Sequence, residues 1–276
     1  MDSLPPLDVL TPFERAAVRL ARRMNSGRWQ RVWFWCGREL SARWIALLTG
    51  PLLVVDGLEH VAATSRERPL LVACNHRSLF DLYVVMSVLF RRLPGWRAIL
   101  FPVRGRYFYQ RPGGVLLNAF VAWWSMYPPF FHESRKAPFN QWAVTELASL
   151  CREGPGRLIG YHPEGTRNRD PDPYSFLPPH AGVGRVILQA RPQVVPVFIA
   201  GLGNSLPNIL ARRIRGGEPI RVRFGPAMDH AAWADLTPTA AASRRVAELV
   251  MQDIRALGEQ DRLSHSLTTL PAGPSA

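Results

Sequence analysis

Short apolar runs along the chain alternate with longer segments whose apolar residues recur every three or four positions. The short runs are typical of strands, and they are predicted at 52–55, 70–74, 97–103, 157–161, 194–200 and 220–224. The longer segments predict helices that begin near residues 11, 28, 78, 113, 140, 182 and 237. Strands that alternate with helices imply an α/β fold, in which a mostly parallel central β-sheet is flanked by helices.

The N-terminal region predicts a pair of amphipathic helices. Thr11, Pro12 and Glu14 form the N-cap pattern of the first helix. The apolar positions are Phe13, Ala17, Leu20, Ala21 and Met24 in the first helix, and Trp29, Trp33, Cys36, Leu40, Trp44 and Leu47 in the second. Residues 11–50 carry eight arginines and two glutamates, a net charge of +6. Such helices are typical of a membrane interface, although the pattern also fits helices that dock on a protein core and leave their arginines in solvent.

The chain divides into three predicted parts. Residues 1–50 form the basic helical pair, which we expect to anchor the protein on a membrane surface. Residues 51–262 hold the alternating strands and helices and form the main domain. Residues 263–276 are mostly small and polar and are predicted to form a disordered tail.

Composition narrows the class of protein. Of the 276 residues 47% are apolar, which excludes general disorder, and the net charge of +13 favours anionic partners. Three cysteines without a CxxC pair indicate neither a disulfide framework nor a zinc site, which suits a reducing compartment. We expect no signal peptide and no membrane-spanning segment, because the longest uncharged apolar stretch, 112–131, is interrupted by polar residues and a Pro-Pro pair.

His76 and Asp81 are the first candidates for chemistry. They follow the buried strand 70–74, where parallel sheets place their ligands. A neutral imidazole can act as a general base, and a nearby carboxylate fixes its tautomer and stabilises the imidazolium that forms. Asp81 also has a structural interpretation, since Ser78 and Asp81 have the spacing of a helix capping box.

A second polar turn follows the predicted strand 157–161. Residues 163–167 read Pro-Glu-Gly-Thr-Arg, and three further blocks stand in order with them: 75–81 (NHxxxxD), 105–111 (GxxFxxR) and 195–197 (Val-Pro-Val). With these four blocks, the chain resembles the glycerolipid acyltransferase family over roughly residues 55–225.

The resemblance implies a membrane-associated O-acyltransferase on the cytoplasmic face of the cell membrane. His76 would be the general base, oriented by Asp81, and the acceptor would be bound by Arg111, Glu164, Gly165, Thr166 and Arg167. Acyl-CoA or acyl-carrier protein would be the co-substrate, with no cofactor and no metal. The acceptor would be lysophosphatidate, with glycerol 3-phosphate or another lysolipid, such as a lyso-ornithine lipid, as the alternative.

Other interpretations of the same residues remain open. The net charge and the mixture of arginine and tryptophan also fit a non-catalytic protein that binds nucleic acid or anionic membrane. A protein that binds a phosphate backbone does not need the His, Asp and Glu of the motifs, however. We therefore expect no nucleic acid partner. Cys74 could be a nucleophile, but its strand position favours a buried, inert thiol. His162 stands where the family commonly has phenylalanine. Together with His76 and Glu164 it suggests a second interpretation, a metal site. The spacing of these three residues fits no zinc pattern.

Overall fold

The computed structural model of the chain describes residues 5–269, with side chains as far as residue 265. The strands are β1 (Leu53–Asp56), β2 (Leu70–Cys74), β3 (Ala98–Leu100), β4 (Val103–Arg104), β5 (Pro129–Phe130), β6 (Arg157–Tyr161), β7 (Gln193–Ala200) and β8 (Ile220–Phe224). The helices are α1 (Pro12–Met24), α2 (Gly27–Cys36), α3 (Ala42–Thr49), α4 (Leu58–Ala62), α5 (Asp81–Arg92), α6 (Gly105–Phe108), α7 (Pro112–Phe120), α8 (Ala137–Arg152), α9 (Gly182–Ala190), α10 (Leu206–Arg215) and α11 (Ala240–Thr269).

Six strands form the central sheet in the order β1-β8-β7-β2-β6-β3. All neighbouring pairs are parallel except β7 and β8, which are antiparallel. This arrangement confirms the predicted α/β fold with a mostly parallel sheet. Because β2 and β6 are parallel neighbours, the turns that follow them lie at the same edge of the sheet.

The sheet separates two apolar cores. Along β2, Leu71 and Ala73 point into one core, and Leu70, Val72 and Cys74 into the other, as expected for a strand buried on both faces. The first core is covered by α1, α8, α9 and α11, and the second by α2, α3, α5 and α10. The two layers of helices therefore lie on opposite faces of the sheet.

Both N-terminal helices pack on these cores. The predicted capping box of α1 is present, since Thr11 and Glu14 exchange hydrogen bonds. Ala17, Val18 and Ala21 of α1 are buried, while Phe13 and Leu20 of its predicted apolar face are exposed.

The predicted apolar stripe of the second helix is not its buried face. The π-helical segment Gly37–Ser41 joins α2 to α3, and its wider turns shift the residues that face the core. Phe34, Ser41, Ala42, Ile45 and Thr49 are buried, whereas Leu40, Trp44 and Leu47 are exposed. The second helix was predicted as one uninterrupted α-helix, and this π-helical segment divides it.

Two predicted elements are interrupted. The predicted strand 97–103 is divided into β3 and β4, and β4 pairs with β5 outside the central sheet. The helix predicted to begin near residue 113 ends at Phe120, and Trp123 and Trp124 after it adopt φ angles of 50° and 62°, in the left-handed region that a right-handed helix cannot include.

Two helical segments at the C-terminal side differ from the prediction. Helix α10 is absent from the predicted elements, although Ser205 caps it by accepting a hydrogen bond from the Asn208 N–H and Pro207 lies in its first turn. Helix α11 continues to Thr269, past the predicted start of the disordered tail at residue 263. The rest of that predicted tail, 270–276, lies outside the described residues. Within residues 5–269, every helix is too short or too polar to traverse a bilayer.

Candidate active site

The turn between β2 and α5 holds His76 beside Asp81. The His76 Nδ1 atom lies 3.2 Å from Asp81 Oδ2, and the same oxygen accepts hydrogen bonds of 2.7 Å from the backbone N–H groups of Arg77 and Ser78. Asp81 is fully buried and is the first residue of α5, not the third as the capping-box interpretation required. An ionised Asp81 accepts from His76 Nδ1–H, which leaves Nε2 as the basic nitrogen.

Glu164 ties the second polar turn to the first. Its Oε2 atom accepts a hydrogen bond of 2.6 Å from the His76 backbone N–H, and its Oε1 atom accepts one of 2.8 Å from the Leu177 N–H. The Asn168 N–H donates to the His76 carbonyl at 2.8 Å. Residue 76 is therefore held from both sides by the loop that follows β6. Burial raises the pKa of Glu164, and both of its hydrogen bonds favour the ionised form.

Gly165 and Thr166 complete the same turn. Gly165 has a φ of +60°, and a Cβ atom there would lie 2.6 Å from the His180 ring, so the turn requires glycine. Thr166 is half-buried beside it.

His162 stacks on His76. The ring centroids are 3.8 Å apart and the planes differ by 12°. The His162 Nδ1 atom lies 2.9 Å from the Cys74 carbonyl oxygen, so Nδ1 carries the proton in the neutral ring. His76, Asp81 and His162 bring their nitrogen and oxygen atoms within 4.8 Å of one another. A ligating nitrogen binds a metal in its own ring plane, however, and two nearly parallel rings do not point their lone pairs at one ion, so the geometry disfavours a shared metal.

Burial and two arginines keep His76 neutral. Burial, followed by the positive charges of Arg167 and Arg104, lowers the pKa of His76 to about 3. Burial raises the pKa of Asp81 to about 6, although the backbone N–H groups of Ser78 and Arg77 favour its ionised form. Above pH 6 the pair therefore consists of a neutral imidazole and a carboxylate, which are the forms that general-base catalysis requires.

The structure brings one of the two predicted phosphate-binding arginines to His76. Arg167 acts on the pKa of His76 and donates a hydrogen bond of 2.9 Å to Asn204 Oδ1. Arg111 is exposed at the start of α7, and its charge is not among those that shift the pKa of His76. The charge of Arg104 does lower the pKa of His76, although the sequence motifs did not single out this residue. The signal for it was the segment 82–132, which contains six arginines and no acidic residue.

The contacts of Asn75 and Cys74 indicate structural roles for these two residues. The Asn75 side chain exchanges two hydrogen bonds with the backbone of Ile199, at 2.8 and 2.9 Å, and so joins the end of β2 to β7. Cys74 is fully buried, and burial raises the pKa of its thiol well above the usual value. A thiol in this state is a poor nucleophile.

Comparison with known proteins identifies the family of this chain. The sequence model of the Acyltransferase family matches residues 53–200, more than half of the chain. The chain is a member of the Acyltransferase family. Among solved structures, the 1-acyl-sn-glycerophosphate (LPA) acyltransferase PlsC from Thermotoga maritima aligns with 16% sequence identity and a TM-score of 0.48, covering 90% of this chain and 83% of that chain. No match is found among curated proteins.

An apolar cavity in the acyltransferase extends along α5. Its free volume is ≈ 40 Å³, and Tyr83, Met86 and Phe90 line it from one side of α5. Phe34 and Ile45 close it from the N-terminal helices, and Trp123 from the turn after α7. Trp124, the next residue, is buried in the opposite core. Between Tyr83 and Phe90 the cavity follows α5 for about 10 Å, and neither His76 nor Asp81 lines it.

Proposed function

We propose that the acyltransferase moves a fatty acyl group from acyl-CoA or acyl-carrier protein to the hydroxyl group of lysophosphatidate. The observation that carries this proposal is the His76–Asp81 pair, whose imidazole is neutral, fixed in orientation and surrounded by arginine charge. The reaction needs no cofactor, since the thioester donor is already activated.

His76 acts as base and then as acid. Nε2 takes the proton of the acceptor hydroxyl as its oxygen attacks the thioester carbonyl, and a tetrahedral oxyanion forms. When this intermediate collapses, the new ester remains, the C–S bond breaks, and the imidazolium returns its proton to the leaving thiolate. Asp81 Oδ2 stabilises the imidazolium, as the Nδ1 contact of 3.2 Å allows.

Arg167 and Arg104 supply the charge that recognises the acceptor phosphate. Guanidinium groups bind phosphate through paired hydrogen bonds. Both arginines lower the pKa of His76 in the empty site, so a bound phosphate that neutralises them raises it again. The base then becomes stronger when the acceptor is in place. Arg111 extends this positive surface from the start of α7, and Glu164, Gly165 and Thr166 hold the loop that carries Arg167.

The apolar cavity along α5 widens to receive the acyl chain, since its free volume of ≈ 40 Å³ is smaller than such a chain. Its lining is mostly aromatic and aliphatic, and Tyr83, its first lining residue on α5, lies two positions after Asp81. The protein binds peripherally to the cytoplasmic face of the cell membrane through the N-terminal helices α2 and α3. Trp35, Trp44 and Leu47 are exposed on these helices beside arginines, which suits an anionic bilayer surface.

The test is acyl transfer by purified protein from labelled acyl-CoA to lysophosphatidate. His76→Ala should lower turnover by about 10²–10⁴-fold without loss of the fold. His132→Ala, which removes an exposed histidine, is the matched control and should turn over like wild type. Turnover of glycerol 3-phosphate or another lysolipid in place of lysophosphatidate would change the acceptor and leave the chemistry intact. A fully active His76→Ala would remove His76 as the base.

A further inference from the structure

Helix α10 carries an apolar row that faces solvent. Leu206, Leu210 and Ile214 are four residues apart and so lie on one side of the helix. They are 39%, 43% and 74% exposed, whereas Ile209 is 1% exposed and inserts into the core. Arg212 holds the helix in place by donating to the carbonyl oxygens of Gly201 and Glu218. The apolar row is therefore a stable part of the surface.

The row continues an apolar surface on α3. Helix α10 packs against α3, and Ile209 and Ile45 belong to the same core. Because the two neighbouring helices bury one side in the same core, their outer sides lie next to each other. The outer side of α3 carries Leu47, 65% exposed, and Trp44.

The first turn of α10 lies beside the active site. Asn204, two residues before the helix, accepts hydrogen bonds from the Leu79 N–H at 3.0 Å and from Arg167 at 2.9 Å. Ser78 Oγ donates to the Gly203 carbonyl at 2.8 Å. The loop that starts α10 is thus bonded to both turns of the active site, and the exposed Leu79 extends the apolar surface toward His76.

We propose that α10 is a second membrane contact, which lies in the headgroup layer of an anionic bilayer and opens the active site toward it. Charge favours lipid over a protein partner: α10 contains three arginines and no acidic residue, and Arg215 is exposed at its C-terminal end. Basic helices with large apolar side chains on one face are bound at such interfaces. The acceptor lipid then enters between α10 and the loop of Arg167 without leaving the membrane. This entry route rests on the proposed function, whereas the membrane contact does not.

The first experiment measures flotation of the full chain with vesicles of equimolar phosphatidylcholine and phosphatidylglycerol. Ile214→Gln should weaken binding about tenfold, because an exposed apolar side chain loses its burial in lipid. Leu263→Gln is the matched control: Leu263 is 58% exposed on α11, which covers the opposite core, and its variant should bind like wild type. Arg215→Gln should weaken binding about fivefold on these vesicles and leave binding to pure phosphatidylcholine unchanged.

Activity separates the membrane contact from the chemistry. With a short-chain acceptor dissolved in water, Ile214→Gln should turn over like wild type, and with the acceptor presented in vesicles it should show a raised KM. Equal vesicle binding by folded Ile214→Gln and wild type would overturn the proposal, as would a change in oligomeric state in place of vesicle binding. If wild type acylates no acceptor while Ile214→Gln still loses vesicle binding, the membrane contact stands and the proposed function fails.

Discussion

The ring of His162 covers one face of the ring of His76, at a centroid distance of 3.8 Å. Each ring is also held at its Nδ1 atom, His76 by Asp81 and His162 by the Cys74 carbonyl. The plane of the proposed base is therefore set by a residue that is 86 positions away in the sequence. His162 is neutral, since burial and the nearby His76 lower its pKa to about 3, so it supplies a surface without adding charge.

The stack predicts different effects for two His162 variants. His162→Phe keeps an aromatic face and should retain most of the turnover, whereas His162→Ala frees the His76 ring and should lower kcat by about 10²-fold, as a misplacement of about 1 Å does. The measurement is kcat and KM for both variants, with KM unchanged. Denaturation curves check that the cavity in His162→Ala has not unfolded the protein. If phenylalanine lowers kcat as much as alanine does, the hydrogen bond to Cys74 matters and the stack does not.

Asp81 predicts the pH dependence of the reaction. Its pKa is raised to about 6 by burial, and only the carboxylate accepts from His76 Nδ1–H, so kcat/KM should rise with pH through about 6 and level off above it. His76 is neutral throughout this pH range and therefore adds no second limb to the pH profile of kcat/KM. Asp81→Asn should lower kcat by about 10²–10⁴-fold and remove the limb that Asp81 causes. A limb that persists unchanged in Asp81→Asn belongs to the acceptor phosphate, which also titrates near pH 6.

The three arginines are predicted to differ in their effects on acceptor binding and on the pKa of His76. Arg104→Gln and Arg167→Gln should each raise the pKa of His76, measured by NMR titration, because both charges lower it in wild type. Each should also raise the KM for lysophosphatidate by about 10–100-fold, the loss expected for a hydrogen bond to a charged group. Arg111→Gln should raise KM alone. A shift of the His76 pKa in Arg111→Gln, without one in Arg104→Gln, would reverse the assignment.

Replacement of Lys136, which lies outside the candidate active site, is predicted to cause a large loss of stability. Its Nζ atom lies 2.6 Å from Glu14 Oε1 and 3.0 Å from Glu133 Oε1, and its side chain is 1% exposed. Lys136→Met leaves Glu14 buried without a cation and should lower the free energy of unfolding by about 3–5 kcal/mol in urea denaturation. Arg255→Met, which breaks the surface pair with Glu248, should change little.

The same buried pair predicts how stability depends on pH. Burial acts to raise the pKa of Glu14, but Lys136, the Thr11 N–H and Gln110 outweigh it, and the pKa is lowered. The stability from this group is present above its unfolded pKa of about 4.5 and is lost as the pH falls through the folded value. That acid-side slope should be smaller in Lys136→Met, and an unchanged slope would mean that the pair does not cause it.

Much of the fold follows from local sequence. Strands β6 and β8 have the predicted bounds, and the capping box of α1 joins residues three positions apart. The proximity of His76 and Asp81 is also local, because a turn between a strand and a helix brings residues five apart together. Periodicity and capping patterns encode backbone hydrogen bonds and burial within one element, which is why these features were predictable.

The remainder was decided by packing between distant segments. The wide turn at Gly37–Ser41 sets which side of α2 and α3 meets the core, and the left-handed Trp123 and Trp124 end α7 early. The parallel register that pairs Ala73 with Tyr161 brings His162 onto His76 and Glu164 onto its backbone. Apolar spacing and motif order contain no information about register between strands or about side chains that meet across the sheet. The identity of the proposed catalytic pair was therefore readable in the sequence, while the geometry that holds it required the tertiary structure.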